Sequence, residues 1–218
     1  MNRLESNKYK EINMFMKVLI QRTKTNDFLI TENITRETFW NLFKSGCDEH
    51  LVLHNLRKSN CYISNFDMVA LSENRIIGHI ITTKAKVVDK QNNEHQVLCV
   101  GPISVLPEFQ KKGIGGKLLN ESIAIAKKLG FSGMILFGHP DYYQRFGFVN
   151  AQKFGITTKE GLNFEPFMAL ELHQNALLTV NGKFYEDKAF ETNEEELNEF
   201  EKLFPKKEKG KPKIDINH

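Results

Sequence analysis

The chain has 218 residues, of which 40% are hydrophobic, so it is long enough to bury the core of one domain with a small addition. Its 30 basic and 27 acidic side chains leave a formal net charge of only +3, which argues against broad nucleic-acid or membrane-surface binding. Three widely separated cysteines exclude a disulfide framework and show no metal-ligand spacing, so we expect a cytoplasmic protein without a metal site.

The N-terminal part of the chain reads as strand, two helices and a hairpin. Residues 1–15 are polar and lack the apolar segment of a secretory signal, so we expect a disordered extension, with Met14 and Met16 as alternative start residues. Residues 17–22 read as a strand, and the spacing of apolar residues predicts helices over 34–43 and 47–59. Residues 66–88 predict a hairpin that turns at Glu73-Asn74.

The middle of the chain predicts a parallel unit. Residues 96–105, "QVLCVGPISV", are apolar throughout and predict a strand covered on both faces. A helical stripe from Ile114 to Leu129 follows, and "SGMILFG" (132–138) is another buried strand. Strand, helix and strand within about forty residues indicate a crossover unit, so we expect these two strands to be parallel.

The C-terminal part of the chain predicts smaller elements. Residues 140–148 read as a short helix and turn, and 167–172 as a strand. We expect one mixed α/β domain over 16–172, an appendage over 173–205 that packs on it and ends in an acidic helix, and a charged, mobile tail over 206–218.

The segment "VLPEFQKKGIGGKLL" (105–119) joins the central strand to the following helix. It fits neither the Walker loop, because Leu118 follows Gly116-Lys117, nor the dinucleotide fingerprint, because the third glycine is missing. It retains Gln-x-x-Gly-x-Gly at a helix N-terminus, where free backbone N–H groups and the helix dipole favour an anion. Glycines allow a ligand close to the backbone, and three lysines add positive charge: Lys111, Lys112 and Lys117.

Two motifs together resemble those of the GNAT superfamily of N-acetyltransferases. "VLPEFQKKGIG" matches the form V-x-P-x-x-Q-x-x-G-x-G, and "YQRFGF" matches Tyr-x-x-x-Gly-Phe further along the chain. The resemblance covers about residues 16–172 and is strongest to the bacterial YhbS-type branch. It implies a GNAT-type mixed sheet, splayed at its centre and flanked by helices. It also implies acetyl-CoA as co-substrate and direct acetyl transfer, in a ternary complex, to a primary amine of a small molecule or a protein.

The resemblance also implies a cofactor site made mostly of backbone. Gly101-Pro102 interrupts the central strand, as expected for a bulge or a splay. Beyond it, the backbone of Ile103 and Val105 would pair with the pantetheine arm. The full expected set also includes Ser104, Gln110, Lys111, Lys112, Gly113, Ile114, Gly115, Gly116, Lys117, His139 and Tyr143.

Acetyl transfer requires a proton for the departing thiolate, and a tyrosine phenol suits that role. Tyr142 and Tyr143 compete for it, and the family motif selects Tyr143. No carboxylate lies on the strand 97–105, so relay by water and His139 both remain candidates for taking the proton of the amine. His139 also has two simpler roles open to it, contact with the substrate or capping of its strand.

The acceptor side of the site is less defined by sequence. Glu49 and His50 on the second helix are candidates to line it, with a solvated helix face as the alternative, and His79 is a weaker one. Cys99 is expected to be a buried thiol and not a covalent carrier. The competing function is a non-catalytic CoA-binding sensor or partner-binding module. We expect no nucleic-acid or membrane partner, and a monomer or homodimer.

Overall fold

The structure, a computed structural model, describes residues 17–214, so the predicted N-terminal extension lies outside the described residues. The helices are α1 (Phe28–Phe39), α2 (Glu49–Lys58), α3 (Ile114–Lys128), α4 (Pro140–Tyr143) and α5 (Glu194–Glu201). The strands are β1 (Leu19–Arg22), β2 (Asp67–Ser72), β3 (Arg75–Val88), β4 (Glu94–Val105), β5 (Gly133–Phe137), β6 (Val149–Asn150), β7 (Ile156–Thr157), β8 (Phe167–Glu171) and β9 (Gly182–Tyr185).

One sheet contains all these strands, in the order β1-β2-β3-β4-β5-β8-β6, with β9 pairing β3 and β7. The β4–β5 pair is parallel and has α3 as its crossover, as the sequence predicts. The hairpin between β2 and β3 turns at Glu73 and Asn74, which both have positive φ, as a two-residue hairpin turn requires. The predicted mixed α/β class is confirmed.

The centre of the sheet is splayed. β4 pairs with β5 only through Leu98 with Met134 and Cys99 with Ile135, although β4 continues for six residues more. On its other side, β4 pairs with β3 and has a bulge opposite Ile81. There the two residues Gly101 and Pro102 of β4 lie opposite the single residue Ile81 of β3. A Cβ at Gly101 would lie 2.9 Å from Cγ2 of Ile81, so the bulge requires glycine there. The Gly-Pro step therefore marks the bulge that the sequence indicates.

Helices cover both faces of this sheet. α3 packs on one face, where the hydroxyls of Ser122 and Thr82 lie 3.0 Å apart. α1 and α2 cover the other face, where the hydroxyls of Thr35 and Ser104 lie 3.1 Å apart and Leu56 packs against Ile81. Two main clusters of buried apolar side chains, one centred on α3 and the other between the sheet and residues 151–190, hold these layers together.

Helix α1 begins six residues before the predicted start at residue 34, and it ends at Phe39 instead of 43. The spacing of apolar residues did not reveal the first part of α1, because the buried face of this helix is largely polar. Four polar residues of that face are at most 3% exposed: Thr31, Glu32, Thr35 and Arg36. Arg57 donates to Glu32, Thr31 and Asp67 in a buried network. Thr35 lies against Ser104, and Arg36 donates to Glu201. A periodicity of apolar residues cannot reveal such a face.

The C-terminal segment is more closely integrated than an appendage. β9 hydrogen-bonds to β3 within the main sheet, and Glu201 at the end of α5 forms a bidentate pair with the buried Arg36. Residues of the tail, which we expect to be mobile, also contact the folded domain. The indole of Trp40 donates to the carbonyl of Glu208 at 2.8 Å, and Lys213 and Ile214 donate to carbonyls at residues 41 and 42. These bonds satisfy backbone carbonyl groups that the loop after α1 leaves without partners in its own helix. Within 17–214, no helix has the length and apolar character to cross a membrane.

Candidate active site

The separated ends of β4 and β5 form one wall each of a cleft of about 950 Å³. From β4 it is lined by residues 99–103 and Val105, and from the end of β5 by Phe137, Gly138 and His139. Within the described chain, the β5-facing edge of β4 has no strand partner beyond Cys99. An extended ligand can therefore lie against this edge as a substitute strand.

The glycine-rich loop closes one end of the cleft. Lys111 and Gly113 have positive φ, and Gly113 caps α3, so the amides at the start of α3 turn toward the cleft. The first intrahelical donor of this turn is Lys117, which leaves the amides of Ile114, Gly115 and Gly116 without intrahelical partners. The geometry fits an anion such as a diphosphate.

Gly115 and Gly116 serve a second purpose that the sequence did not indicate. A Cβ at Gly115 would lie 2.9 Å from the hydroxyl oxygen of Tyr142, and one at Gly116 would lie 3.1 Å from Cζ of Phe146. The two glycines thus admit the aromatic side chains of the segment after β5. This contact joins the two motifs of the sequence into one site.

The structure qualifies two of the expected backbone contacts, those of Val105 and Ser104. Ile103 and Val105 line the cleft, but the carbonyl of Val105 already accepts from the side chains of Gln110 at 3.0 Å and Thr38 at 3.1 Å. Ser104 does not line the cleft, because its side chain is fully buried against Thr35 of α1.

The lysines of the loop also separate into two groups. Lys111 lines the cleft, whereas Lys112 donates to the carbonyl of Glu108 and Lys117 is exposed on α3, and neither of these two lines the cleft. Arg145, which sequence reasoning missed, is a further cation that lines the cleft. Its guanidinium carbon lies 4.1 Å from the centre of the Tyr142 ring. Its place within "YYQRFGF" was the available signal.

Tyr143 and Tyr142 both line the cleft but differ in surroundings. The hydroxyl of Tyr142 lies at the start of α3, while the ring of Tyr143 packs between Gly138 and Phe148, deeper in the site. Burial, and then the neighbouring Tyr142, raises the pKa of Tyr143, so its hydroxyl stays protonated at neutral pH. Among residues 17–214 this hydroxyl has no hydrogen-bond partner, so it is free to donate to a ligand.

The remaining sequence candidates divide between the cleft and the core. His139 lines the cleft as an exposed side chain, 3.7 Å from Asp141, and Glu49 lines it from the start of α2. The expectation for His50 is wrong: it is fully buried, with Nε2 2.9 Å from Glu201 and its ring stacked on Phe200. Residues adjacent in a helix point about 100° apart, so Glu49 faces the cleft while His50 turns into the core.

His79 also lies in the core. It is fully buried with Nε2 2.7 Å from Asp67, as part of the network between α1, α2 and the sheet. Burial lowers its pKa. Cys99 is a buried free thiol at the wall of the cleft, and its pKa is raised by burial and then by the charge of Glu186.

Sequence reasoning missed a second set of cleft residues, which lies at the opposite side from the glycine-rich loop along β4. These are Phe137 at the end of β5 and two residues after β9, Glu186 and Phe190. The side chain of Glu186 is exposed, and its partial removal from water by the surrounding protein raises its pKa. Glu186 and Phe190 reach this site because β9 pairs with β3, a contact that no local sequence pattern encodes.

The model of the acetyltransferase (GNAT) family matches residues 31–148. Among curated proteins, N-acetyltransferase YjhQ of Escherichia coli K12 is 31% identical over 81 residues, which are 37% of this chain and 44% of that protein. The chain thus spans less than half of the length of YjhQ. N-acetyltransferase YhbS of the same strain is 26% identical over 141 residues, which are 64% of this chain and 81% of YhbS.

Two solved structures have the same fold. E. coli YhbS in complex with CoA superposes with a TM-score of 0.68 at 21% identity, covering 81% of this chain and 93% of that one. A GNAT family acetyltransferase from Brucella melitensis in complex with acetyl-CoA gives a TM-score of 0.65 at 25% identity, covering 81% and 100%. The splayed sheet described above is therefore shared with proteins that bind CoA or acetyl-CoA.

Proposed function

Because this chain belongs to the acetyltransferase (GNAT) family, we propose that it transfers the acetyl group of acetyl-CoA to a primary amine in a ternary complex. The observation that carries the proposal is the convergence of three features in one cleft. These are the unpaired edge of β4, the free amides at the start of α3 and the hydroxyl of Tyr143. The CoA and acetyl-CoA complexes of the two structural neighbours support the choice of co-substrate.

In this proposal, the diphosphate of acetyl-CoA binds the amides of residues 113–116. The positive end of α3 stabilises the anion, and the side chains of Lys111 and Arg145 add charge from the cleft wall. The pantetheine arm runs along β4 past Ile103 toward the bulge at Gly101. The carbonyl of Val105 is engaged elsewhere, so the amide contacts come from residues nearer the bulge.

The reaction joins the nitrogen of the amine to the thioester carbonyl carbon and breaks its bond to sulfur. Backbone donors near the bulge stabilise the negative charge that develops on the carbonyl oxygen. The departing thiolate takes the proton of the Tyr143 hydroxyl, and a proton from the new ammonium centre restores the phenol. The amine enters as the free base, having lost its first proton to water or to a cleft side chain.

The test is a panel of amines and peptides assayed by thiol release with acetyl-CoA, combined with thermal unfolding. Acetyl-CoA at a hundredfold excess over its dissociation constant stabilises a fold by about 2.7 kcal/mol. We expect this stabilisation together with amine-dependent thiol release. Stabilisation without thiol release on any amine would favour a non-catalytic CoA-binding module, and the absence of stabilisation would contradict both functions.

We also propose a cytoplasmic location, which is supported by the three free thiols Cys47, Cys61 and Cys99. All three side chains are buried, and none of them pairs with another in the described residues. Mass spectrometry of the protein isolated from its own cell under alkylating conditions tests this: complete alkylation after unfolding, without prior reduction, is the expected result.

A further inference from the structure

We propose that Glu186 takes the proton that the acceptor amine must lose before it attacks the thioester. The proposal deepens the function given above and rests on it. Glu186 follows β9 and lines the same cleft as Tyr143, the proton donor to sulfur in the proposed reaction. The two side chains would divide the proton transfers of the reaction between them.

Glu186 lies beside the place where β4 and β5 separate. Its charge reaches the thiol of Cys99, the last residue of β4 that pairs with β5. Residues two apart in a strand share a side, and the ring centre of Phe184 lies 6.3 Å from that of Phe137 at the end of β5. Both observations put Glu186 at the separation of the two strands, where the proposed function has the thioester.

The segment after Glu186 is held against the bulge in β4. Phe190 packs on the apolar cluster that contains Leu56 and Ile81. These two side chains border the bulge, because a Cβ at Gly101 would lie 2.9 Å from Cγ2 of Ile81 and 3.5 Å from Cδ1 of Leu56. This segment and the C-terminal half of α2 therefore cover the same side of the bulge.

Hydrogen bonds fix the backbone next to Glu186. Ser59, directly after α2, donates to the carboxylate of Asp187 at 2.9 Å. The same carboxylate accepts the amide of Ala189 at 2.9 Å. A fastened backbone limits where the carboxylate of Glu186 can lie, as proton transfer at hydrogen-bond distance requires.

The surroundings of Glu186 make it a stronger base than an ordinary carboxylate. Its partial removal from water raises its pKa; the charge of Lys159 acts against this, and the charges of Glu191 and Glu160 add to it. Lys159 itself pairs with Glu191 at 3.2 Å. The raised pKa narrows the gap to an ammonium group, whose pKa is about 10, and so makes the proton transfer less unfavourable.

Two other candidates for this proton line the cleft at different places. Glu49 begins α2, and seven residues, about 10 Å of helix, separate it from Leu56 at the bulge. His139 follows β5 on the opposite wall, with 76% of its side chain exposed beside Asp141. Glu186 is therefore the one of the three that the fold brings to the acceptor side of the bulge.

The proton transfers balance with the groups already named. The ammonium group gives one proton to the carboxylate of Glu186, which leaves the free amine and a neutral carboxylic acid. The nitrogen then bonds to the carbonyl carbon as the bond to sulfur breaks, while Tyr143 protonates the sulfur and regains a proton from the nitrogen. Glu186 returns its proton to water as the products leave.

The dependence of kcat/KM on pH tests this role, with 2-phenylethylamine and a hexapeptide containing one lysine as acceptors. If Glu186 takes the proton, the wild type uses the ammonium form, so kcat/KM for the amine should be level from about pH 7 to about pH 9. Glu186→Gln can use only the free base. Its kcat/KM should rise about tenfold per pH unit over this range and lie about a hundredfold or more below the wild type at pH 7.

Glu165→Gln is the control for charge, because Glu165 is an exposed acid outside the cleft, and its profile should match the wild type. Glu186→Gln should keep the wild-type Tm and the Kd for acetyl-CoA, because the side chain of Glu186 is exposed. His139→Gln tests the competing base, and loss of the level region in that variant alone would assign the proton to His139 and overturn the proposal.

A wild-type kcat/KM that rises tenfold per pH unit, or parallel profiles of the wild type and Glu186→Gln, would also overturn the role of Glu186 and leave the proposed function standing. The absence of thiol release by the wild type with every amine of the panel would instead contradict the proposed function itself.

Discussion

The ring of Tyr143 packs so closely on the α-carbon of Gly138 that a Cβ there would lie 2.1 Å from Cε2 of the ring. Gly138→Ala must therefore displace the phenol from its place at the cleft. We expect kcat to fall by about tenfold or more, since a displacement of the order of 1 Å is costly in catalysis. Steady-state kinetics measure this, with the exposed neighbour Gln144→Ala as control. An unchanged kcat for Gly138→Ala would show that the position of Tyr143 is unimportant.

Tyr143→Phe removes the proposed proton donor while keeping the ring. Turnover should fall by about a hundredfold or more, whereas the Kd for acetyl-CoA should change little. Tyr142→Phe is the matched control, because its hydroxyl lies at Gly115 and away from the transferred group. Because burial raises the pKa of Tyr143, the wild-type rate should not decline from loss of this proton up to pH of about 10. Equal turnover of the two variants would remove Tyr143 from the mechanism.

Lys111 and Arg145, which line the cleft, should contribute to acetyl-CoA binding, whereas Lys117, which is exposed outside the cleft, should not. Lys111→Ala and Arg145→Ala are each expected to weaken acetyl-CoA binding by about threefold to thirtyfold, and to reduce its salt dependence. Lys117→Ala, an exposed side chain outside the cleft, is the control for net charge. Calorimetric titration at two salt concentrations provides the measurement. Equal losses in all three variants would indicate a general charge effect in place of local contacts.

His50 should make the protein less stable in acid. Burial lowers the pKa of His50 from 6.5 to about 4. The charge of Glu201 acts in the opposite direction and raises this pKa, whereas the charge of Arg36 lowers it further. Between these values the unfolded chain binds the proton more readily, so stability is complete above about pH 6.5 and declines as the pH falls toward 4. The loss due to His50 is about 2 kcal/mol at pH 5 relative to pH 8.

Urea unfolding of wild type and His50→Gln at the two pH values isolates this contribution. The buried His79, whose pKa is also lowered, adds to the decline in both proteins, and Glu49 and Glu186 oppose it. The variant should therefore lose less stability than the wild type on acidification. If both proteins lost the same amount, His50 would titrate as an ordinary exposed histidine.

Removal of the residues after Pro205 should destabilise the fold and loosen the cleft. The cut eliminates the bond from Trp40 to Glu208 and two backbone bonds to the loop after α1, which carries the cleft residues Leu42 and Phe43. We expect a loss of about 1–3 kcal/mol, hence a Tm lower by roughly 2–12 °C. Calorimetry gives the Tm, and hydrogen exchange should increase in residues 40–46. Unchanged exchange there would contradict a supporting role for the tail.

Local patterns were sufficient for most elements of the fold. The turn at Glu73-Asn74, the apolar strand β4, helix α3 and the bulge at Gly101-Pro102 each depend on neighbouring residues, so their sequence signals were correct. Helix α1 was placed too late because its buried face is polar, and burial of polar groups depends on partners distant in sequence, such as Arg57 and Glu201. The contacts of the tail with the loop after α1 were missed for the same reason.

The sequence by itself determined the donor side of the cleft. A glycine-rich loop at a helix start and a Tyr-x-x-x-Gly-Phe segment are each continuous in the chain, so local sequence alone was enough to propose them as the segments that bind acetyl-CoA. Only the tertiary structure decided the acceptor side. It placed His50 in the core beside Glu49 in the cleft, and through the pairing of β9 with β3 it brought Glu186 opposite α2. Contacts of that kind are set by packing between distant segments, which no local spacing encodes.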